Sequence, residues 1–347
     1  MKQDHYHMLE LLYRLLRRKL LPCYLVAWLA VGLLAACANQ PSGGASSAGE
    51  MQTAGAALNT AVNLGEGEKL KVVVTTNILG DVVRQVSGDD VELQVLMDIG
   101  TDPHTYLPAP ADSAALHDAH LLIINGAGLE ENLIKLIISA GALEKTLEAS
   151  AGIRLLSFEE HEDELEDESE QHGEFDPHVW FDVQNVKVWV ENIERTLSTL
   201  DPAHADRYAA NARAYLTQLD ALDGWITEQV AEIPAQNRKL VSSHPVYGYF
   251  AARYGFEQAG VIYPITPSAE PSARELAALE DLIAEYDIPA LFTESTVNTR
   301  LAQQIAADTG VQIIMLYTGS LGPTGSGAEN YIAMMQYDVR AIVDALR

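Results

Sequence analysis

The chain has 347 residues, 48% of them apolar and 20% charged, a mixture that suits packed domains and excludes collagen, a coiled coil and general disorder. Twenty-two basic residues stand against 49 acidic ones, for a formal charge of −27. That balance offers no basic face to a nucleic acid, so none is expected as a partner; an acidic surface favours solubility and draws cations.

The first 36 residues stand apart from the fold. Arg14, Arg17, Arg18 and Lys19 precede an apolar run over 20–36 that ends Leu34-Ala35-Ala36-Cys37. The run is shorter than the roughly 20 residues of a spanning helix, and small residues before a cleavage point mark a secretory signal. This form resembles a bacterial lipoprotein signal over 1–36. The resemblance implies that Cys37 carries lipid and anchors the protein to a bacterial membrane, on the cell surface or in the periplasm. Either Met1 or Met8 serves as the start. Cys23 lies inside the signal, so no disulfide is expected in the mature chain. Residues 37–68, rich in Gly, Ser, Ala, Asn and Gln, are expected to form a flexible tether.

The folded part begins with a β-branched run over 71–76, read as a buried strand, and a helix over 78–86. A strand over 91–97, a loop with Gly100, Pro103, Pro108 and Pro110, a strand over 121–124, a helix over 130–139 and a strand over 154–158 complete a first lobe, 69–185. Its segment 159–174 carries ten acidic residues with His161 and His172; so many like charges cannot pack, and a loop is expected. Residues 202–233 read as the longest helix. Tyr208, Ala212, Tyr215, Leu219, Leu222, Ile226 and Val230 form its apolar stripe, Asp201 is its expected cap, and Pro202 lies in its first turn. Thirty such residues span roughly 45 Å, long enough to run past two small lobes. Strands over 239–243, 258–262, 290–294 and 311–317 then alternate with helices over 247–254, 272–286, 297–309 and 330–346. Alternation of this kind means parallel sheets. The fold class is therefore α/β, with two parallel-sheet lobes, 69–185 and 237–347, joined by linking helices over 186–236. Ligands of such folds bind at the carboxyl ends of strands and in clefts between lobes.

Three of the ten histidines share a context. His104 lies in Asp102-Pro103-His104, His178 in Asp176-Pro177-His178, and His244 follows a strand and precedes Pro245. His117 and His120 read as solvated at a helix end, and His204 shows no role. Three converging imidazoles suit Zn²⁺, and separations of 74 and 66 residues mean that only the fold can assemble them.

These loops carry a resemblance. Gly100-Thr101-Asp102-Pro103-His104-Thr105-Tyr106-Leu107-Pro108 and Asp176-Pro177-His178-Val179-Trp180-Phe181-Asp182 resemble the two signature loops of the zinc- and manganese-binding solute-binding lipoproteins of ABC transporters. Asn125-Gly126-Ala127-Gly128-Leu129-Glu130, His244 with Tyr247-Gly248-Tyr249-Phe250, and Phe292-Thr293-Glu294-Ser295 extend the match from about residue 70 to the end. The resemblance implies two lobes bridged by one long rigid helix, a metal in the cleft, and His104, His178 and His244 as ligands. It implies a monomer that binds Zn²⁺, with Mn²⁺ the other candidate, and hands it to a membrane permease; it implies no enzyme. Imidazole-rich sites lean toward Zn. The family's fourth ligand is an Asp or Glu where this chain has Gly319. Glu294, at a strand end, is the candidate to replace it, or to support a histidine instead. The acidic loop, through His161 and His172, is a candidate collector of metal. Two alternative readings fit the same residues: a surface metalloenzyme with an open three-histidine zinc site, and a metal-dependent surface adhesin.

Overall fold

The structure, a computed structural model, describes residues 56–157, 175–263, 271–296 and 299–347. The expected signal, Cys37, and the acidic loop with His161 and His172 lie outside the described residues.

Two four-stranded parallel sheets form two lobes. The first contains β1 (Leu70–Val74), β2 (Val91–Val95), β3 (Leu121–Ile124) and β4 (Thr146–Glu148), in the order β2-β1-β3-β4. Its helices are α1 (Asn77–Ser87), α2 (Pro110–Asp118) and the short α3 (Ile134–Ser139). Two long helices follow, α4 (Val183–Leu200) and α5 (Ala205–Val230). The second sheet contains β5 (Lys239–Ser242), β6 (Glu257–Val261), β7 (Ala290–Glu294) and β8 (Gln312–Leu316), in the order β6-β5-β7-β8. Its helices are α6 (Gly248–Tyr254), α7 (Ala273–Glu285), α8 (Arg300–Thr309) and α9 (Tyr331–Leu346).

The inner strands β1, β3, β5 and β7 are largely buried on both faces, and their alternation divides the core. Leu70, Val72 and Val74 of β1 and Leu121 and Ile123 of β3 point into one large apolar cluster, while Val73, Leu122 and Ile124 point into a second. In the other lobe Leu240, Ala290 and Phe292 join the large cluster, and Val241 and Leu291 join a third. One core thus runs through both lobes and includes the inner faces of α4, α5 and α9. Helix α5, with 26 residues, is about 39 Å long. It packs against α1 of the first lobe and against α6 and α9 of the second. Its buried residues are the seven of the expected stripe.

Several elements differ from expectation. The fourth strand is not 154–158 but Thr146–Glu148, paired with β3; of the expected run, Ser157 makes only an isolated antiparallel bridge to Phe175, and Phe158 lies outside the described residues. Three residues are too few to show a period, whereas the apolar pair Leu155 and Leu156 imitates a strand. The helix over 130–139 splits into a 3-10 turn, Glu131–Leu133, and α3. Asp201 does not cap α5: the N-cap is His204, and Asp201 instead accepts from Tyr208 Oη at 2.8 Å and pairs with His204 Nδ1 at 2.6 Å. Pro202 therefore sits in a turn before α5 rather than in its first turn. His120 is not simply solvated, for its Nδ1 accepts the Lys71 amide at 3.0 Å. The tether expected over 37–68 is docked at its end. Ala56–Asn59 forms a 3-10 turn, the Val62 amide donates to Leu200 O at 2.8 Å, and Leu58, Val62 and Leu64 lie on the large cluster. Three apolar side chains are enough to hold a segment whose composition otherwise reads as linker.

In each sheet the chain runs from a central strand to one edge and then crosses to the other side. The reversal falls between β1 and β3 and between β5 and β7. Such switch points open a crevice at the carboxyl ends of the strands.

Candidate metal centre

Each site histidine is delivered by a strand end or a turn. His104 lies on the loop after β2, and His244 lies two residues after β5. His178 follows Asp176-Pro177 and starts a 3-10 turn, Val179–Phe181, that leads into α4. The two Asp-Pro-His turns fold alike. Asp102 Oδ1 accepts the His104 amide and Asp176 Oδ1 accepts the His178 amide, each at 2.9 Å; proline fixes the residue between, and the aspartate closes an Asx turn.

The three rings meet in a near-equilateral triangle, with centroids 5.1, 5.3 and 5.1 Å apart. Their ligand nitrogens all lie within 4.8 Å of one another. His178 Nε2 is 3.0 Å from His104 Nε2 and 3.3 Å from His244 Nε2. A tetrahedral Zn²⁺ with bonds of 2.0–2.1 Å separates its nitrogens by about 3.3 Å, so these atoms already stand near the edges of such a shell.

Two carboxylates back the triangle. Asp176 Oδ1 lies 2.7 Å from His178 Nδ1, and Glu294 Oε1, at the end of β7, lies 2.6 Å from His244 Nδ1. A partner on Nδ1 fixes the tautomer that leaves Nε2 free for a metal and raises its basicity. Glu294 Oε2 accepts from Thr318 Oγ1, so both of its oxygens are engaged, one by His244 and one by Thr318. Gly319 brings no side chain, and its position is closed: a Cβ there would lie 2.9 Å from Pro103 Cδ.

The electrostatics follow from burial. Burial, with the neighbouring histidines, holds His104 and His178 well below the usual imidazole value. Burial would also lower His244, but the charge and hydrogen bond of Glu294 outweigh it and raise His244 above that value. Glu294 is correspondingly lowered, its pairing with His244 overcoming its own burial. Burial pushes Asp176 up to about 7, against the pull of the His178 amide and of His244. A cation at the triangle would find two neutral imidazoles, one imidazole to be deprotonated and two carboxylates to balance its charge.

Sequence reasoning singled out the three histidines and Glu294, and the fold brings these four together. It gave no role to Thr318, Ser320 or Asn77, which the fold places around them. Their signal was positional: polar residues within four positions of the carboxyl ends of β1 and β8, where ligands bind.

The family model described as "Zinc-uptake complex component A periplasmic" matches residues 72–345. The chain belongs to this family. Its relatives include the manganese-binding lipoprotein MntA of Halalkalibacterium halodurans, 38% identical over 282 residues, which cover 81% of this chain and 90% of that protein. The manganese ABC transporter substrate-binding lipoprotein PsaA of Streptococcus pneumoniae is 30% identical over 287 residues, or 81% of this chain and 90% of that protein. Among solved structures, the periplasmic zinc-binding protein TroA of Treponema pallidum superposes with a TM-score of 0.72 at 30% identity, covering 80% of this chain and 99% of that one. The family is one of substrate-binding components rather than enzymes, which sets the metalloenzyme alternative aside. No helix among the described residues is long and apolar enough to cross a membrane.

Proposed function

We propose that this protein captures one Zn²⁺ between its lobes, with His104, His178 and His244 as ligands, and delivers it to the membrane permease of an ABC importer. The observation that carries the reading is the meeting of three Nε2 atoms within coordination range, two of the rings being backed by carboxylates. Three nitrogens and no thiolate suit Zn²⁺, and water completes a four-coordinate shell. Glu294 supports His244 in this reading rather than ligating, and water stands in for the side chain that Gly319 lacks. Lipid on Cys37 would hold the protein, as a monomer, outside the cytoplasmic membrane, and the acidic loop with His161 and His172 would gather cations before capture.

Mn²⁺ is the second reading, favoured by the manganese in the names of MntA and PsaA. Calorimetric titration of the metal-stripped protein at pH 7.5 separates the two. Tight one-to-one binding of Zn²⁺ with weak binding of Mn²⁺ is the expected result; the reverse order would replace zinc by manganese, and tight binding of neither would overturn the capture reading. Deleting residues 160–171 is expected to lower uptake only at scarce zinc, and unchanged uptake there would remove the collecting role.

A further inference from the structure

The residues after β8 touch the two loops that carry His104 and His178 and, at the end of β7, the carboxylate that pairs with His244. Thr318 Oγ1 donates to Glu294, the carboxylate partner of His244. The Thr318 carbonyl accepts the indole N–H of Trp180 at 2.9 Å, two residues beyond His178. Gly319 lies directly against Pro103, the neighbour of His104. Ser320 Oγ accepts the Gly100 amide at 2.7 Å, where the His104 loop begins.

Asn77, a buried side chain of the opposite lobe, meets the segment as well. Asn77 Nδ2 donates to Ser320 Oγ at 3.1 Å and to the carbonyls of Met97 and Asp98 at 3.2 Å each. Asn77 Oδ1 accepts the Leu321 amide at 2.7 Å. None of this serves secondary structure. Helix α1 is capped by Thr76, which accepts the Leu79 amide, and residues 318–321 lie outside β8 and α9. A fully buried Ser320 and an Asn77 bonded on both ends of its amide are polar groups placed where apolar ones would pack more simply; their hydrogen bonds fix geometry across the cleft.

We propose that residues 318–321 and Asn77 form a clasp between the lobes that sets the spacing of the three histidines, so that a bound metal leaves only when the clasp opens. Asn77 and Ser320 are positioning residues; they act through the His104 loop and touch no metal. A Cβ at 319 would stand 2.9 Å from Pro103 Cδ, so a side chain there would push the clasp off Pro103. The proposal rests on the capture reading above for its metal, but the clasp itself can be tested without one.

The test compares the whole protein with its Ser320→Ala and Asn77→Ala variants. Asn192→Ala serves as control, since Asn192 donates to the Ala149 and Ala151 carbonyls away from the cleft. Amide exchange of the metal-free proteins is followed at Gly100 and Leu321, and Zn²⁺ dissociation into excess chelator is timed by stopped flow. The expected result is faster exchange at both amides in both clasp variants, with dissociation accelerated about tenfold or more, the effect of losing one or two buried hydrogen bonds. Asn192→Ala is expected to melt earlier yet leave both readouts at wild-type values. Wild-type exchange in Ser320→Ala, or faster exchange with unchanged dissociation, would overturn the clasp. Equal acceleration in Asn192→Ala would overturn it as well, by showing general loosening. A wild-type protein that holds no Zn²⁺ would instead refute the capture reading, and the exchange comparison would still decide whether the clasp exists.

Discussion

The same tripeptide, Asp-Pro-His, occurs twice at this site and is used in two ways. In both copies the aspartate accepts the histidine amide at 2.9 Å, a local interaction that the tripeptide carries with it. The second contact differs. Asp176 pairs with the ring of its own His178 at 2.7 Å, whereas Asp102 accepts from Thr105 Oγ1 at 3.0 Å. His178 is 2% exposed, while His104 is half-buried on a loop whose Leu107 is 86% exposed. Local chemistry therefore sets the turn, and tertiary burial decides which histidine acquires a carboxylate. His178 is the anchored member of the triangle, and His104 depends on the opposite lobe for its place.

The most severe way to break that comparison is to remove the rings. His178→Ala, which takes away the nitrogen nearest both others, is expected to lower Zn²⁺ affinity by more than about 100-fold, beyond the range for residues that only orient a ligand. His104→Ala is expected to cost less; competition against a chromophoric chelator measures both, and an equal or larger loss at His104 would break the ranking.

The aspartates sharpen it. Asp176→Asn is expected to reduce affinity about 10–100-fold, because its amide cannot stabilise the ring as a carboxylate does, and Glu294→Gln should fall in the same range. Asp102→Asn is expected to stay within a few-fold, since an asparagine oxygen still accepts the His104 amide. Equal losses at 102 and 176 would show that both turns work alike.

Protons offer a third comparison. Because Glu294 raises His244 despite burial, His244 keeps its proton to a higher pH than a free imidazole, and metal must displace it. Affinity should therefore fall as pH drops, beginning above the ordinary imidazole value of about 6.5, with about one proton released per metal. Protonation of Asp176 near 7 adds to the fall. Glu294→Gln should move the onset to lower pH; a flat affinity from pH 8 to 5 would contradict histidine ligation. The smallest effect lies away from both turns. Gly224, exposed within α5, has open space where a Cβ would stand, so Gly224→Ala should stabilise by about 0.5–1 kcal/mol and raise the melting temperature by about 2 °C, with affinity unchanged.

Much of this was legible in the sequence because its signals were local or periodic. The β-branched strands, the α5 stripe and the repeated Asp-Pro-His read directly into the structure. The strand at 146–148 was not legible, since three residues carry no period. The docking of Leu58, Val62 and Leu64 was hidden because composition averages away a few apolar contacts. The bonding of Asn77 to Ser320 and Leu321 joins residues 243 and 244 positions apart, and nothing in either local sequence announces the other.

The most direct test of the account is X-ray absorption at the zinc edge of the loaded protein. Three imidazole nitrogens at about 2.0–2.1 Å with one further light ligand are the predicted shell. Fewer than three imidazoles, or a shell dominated by oxygen, would contradict it.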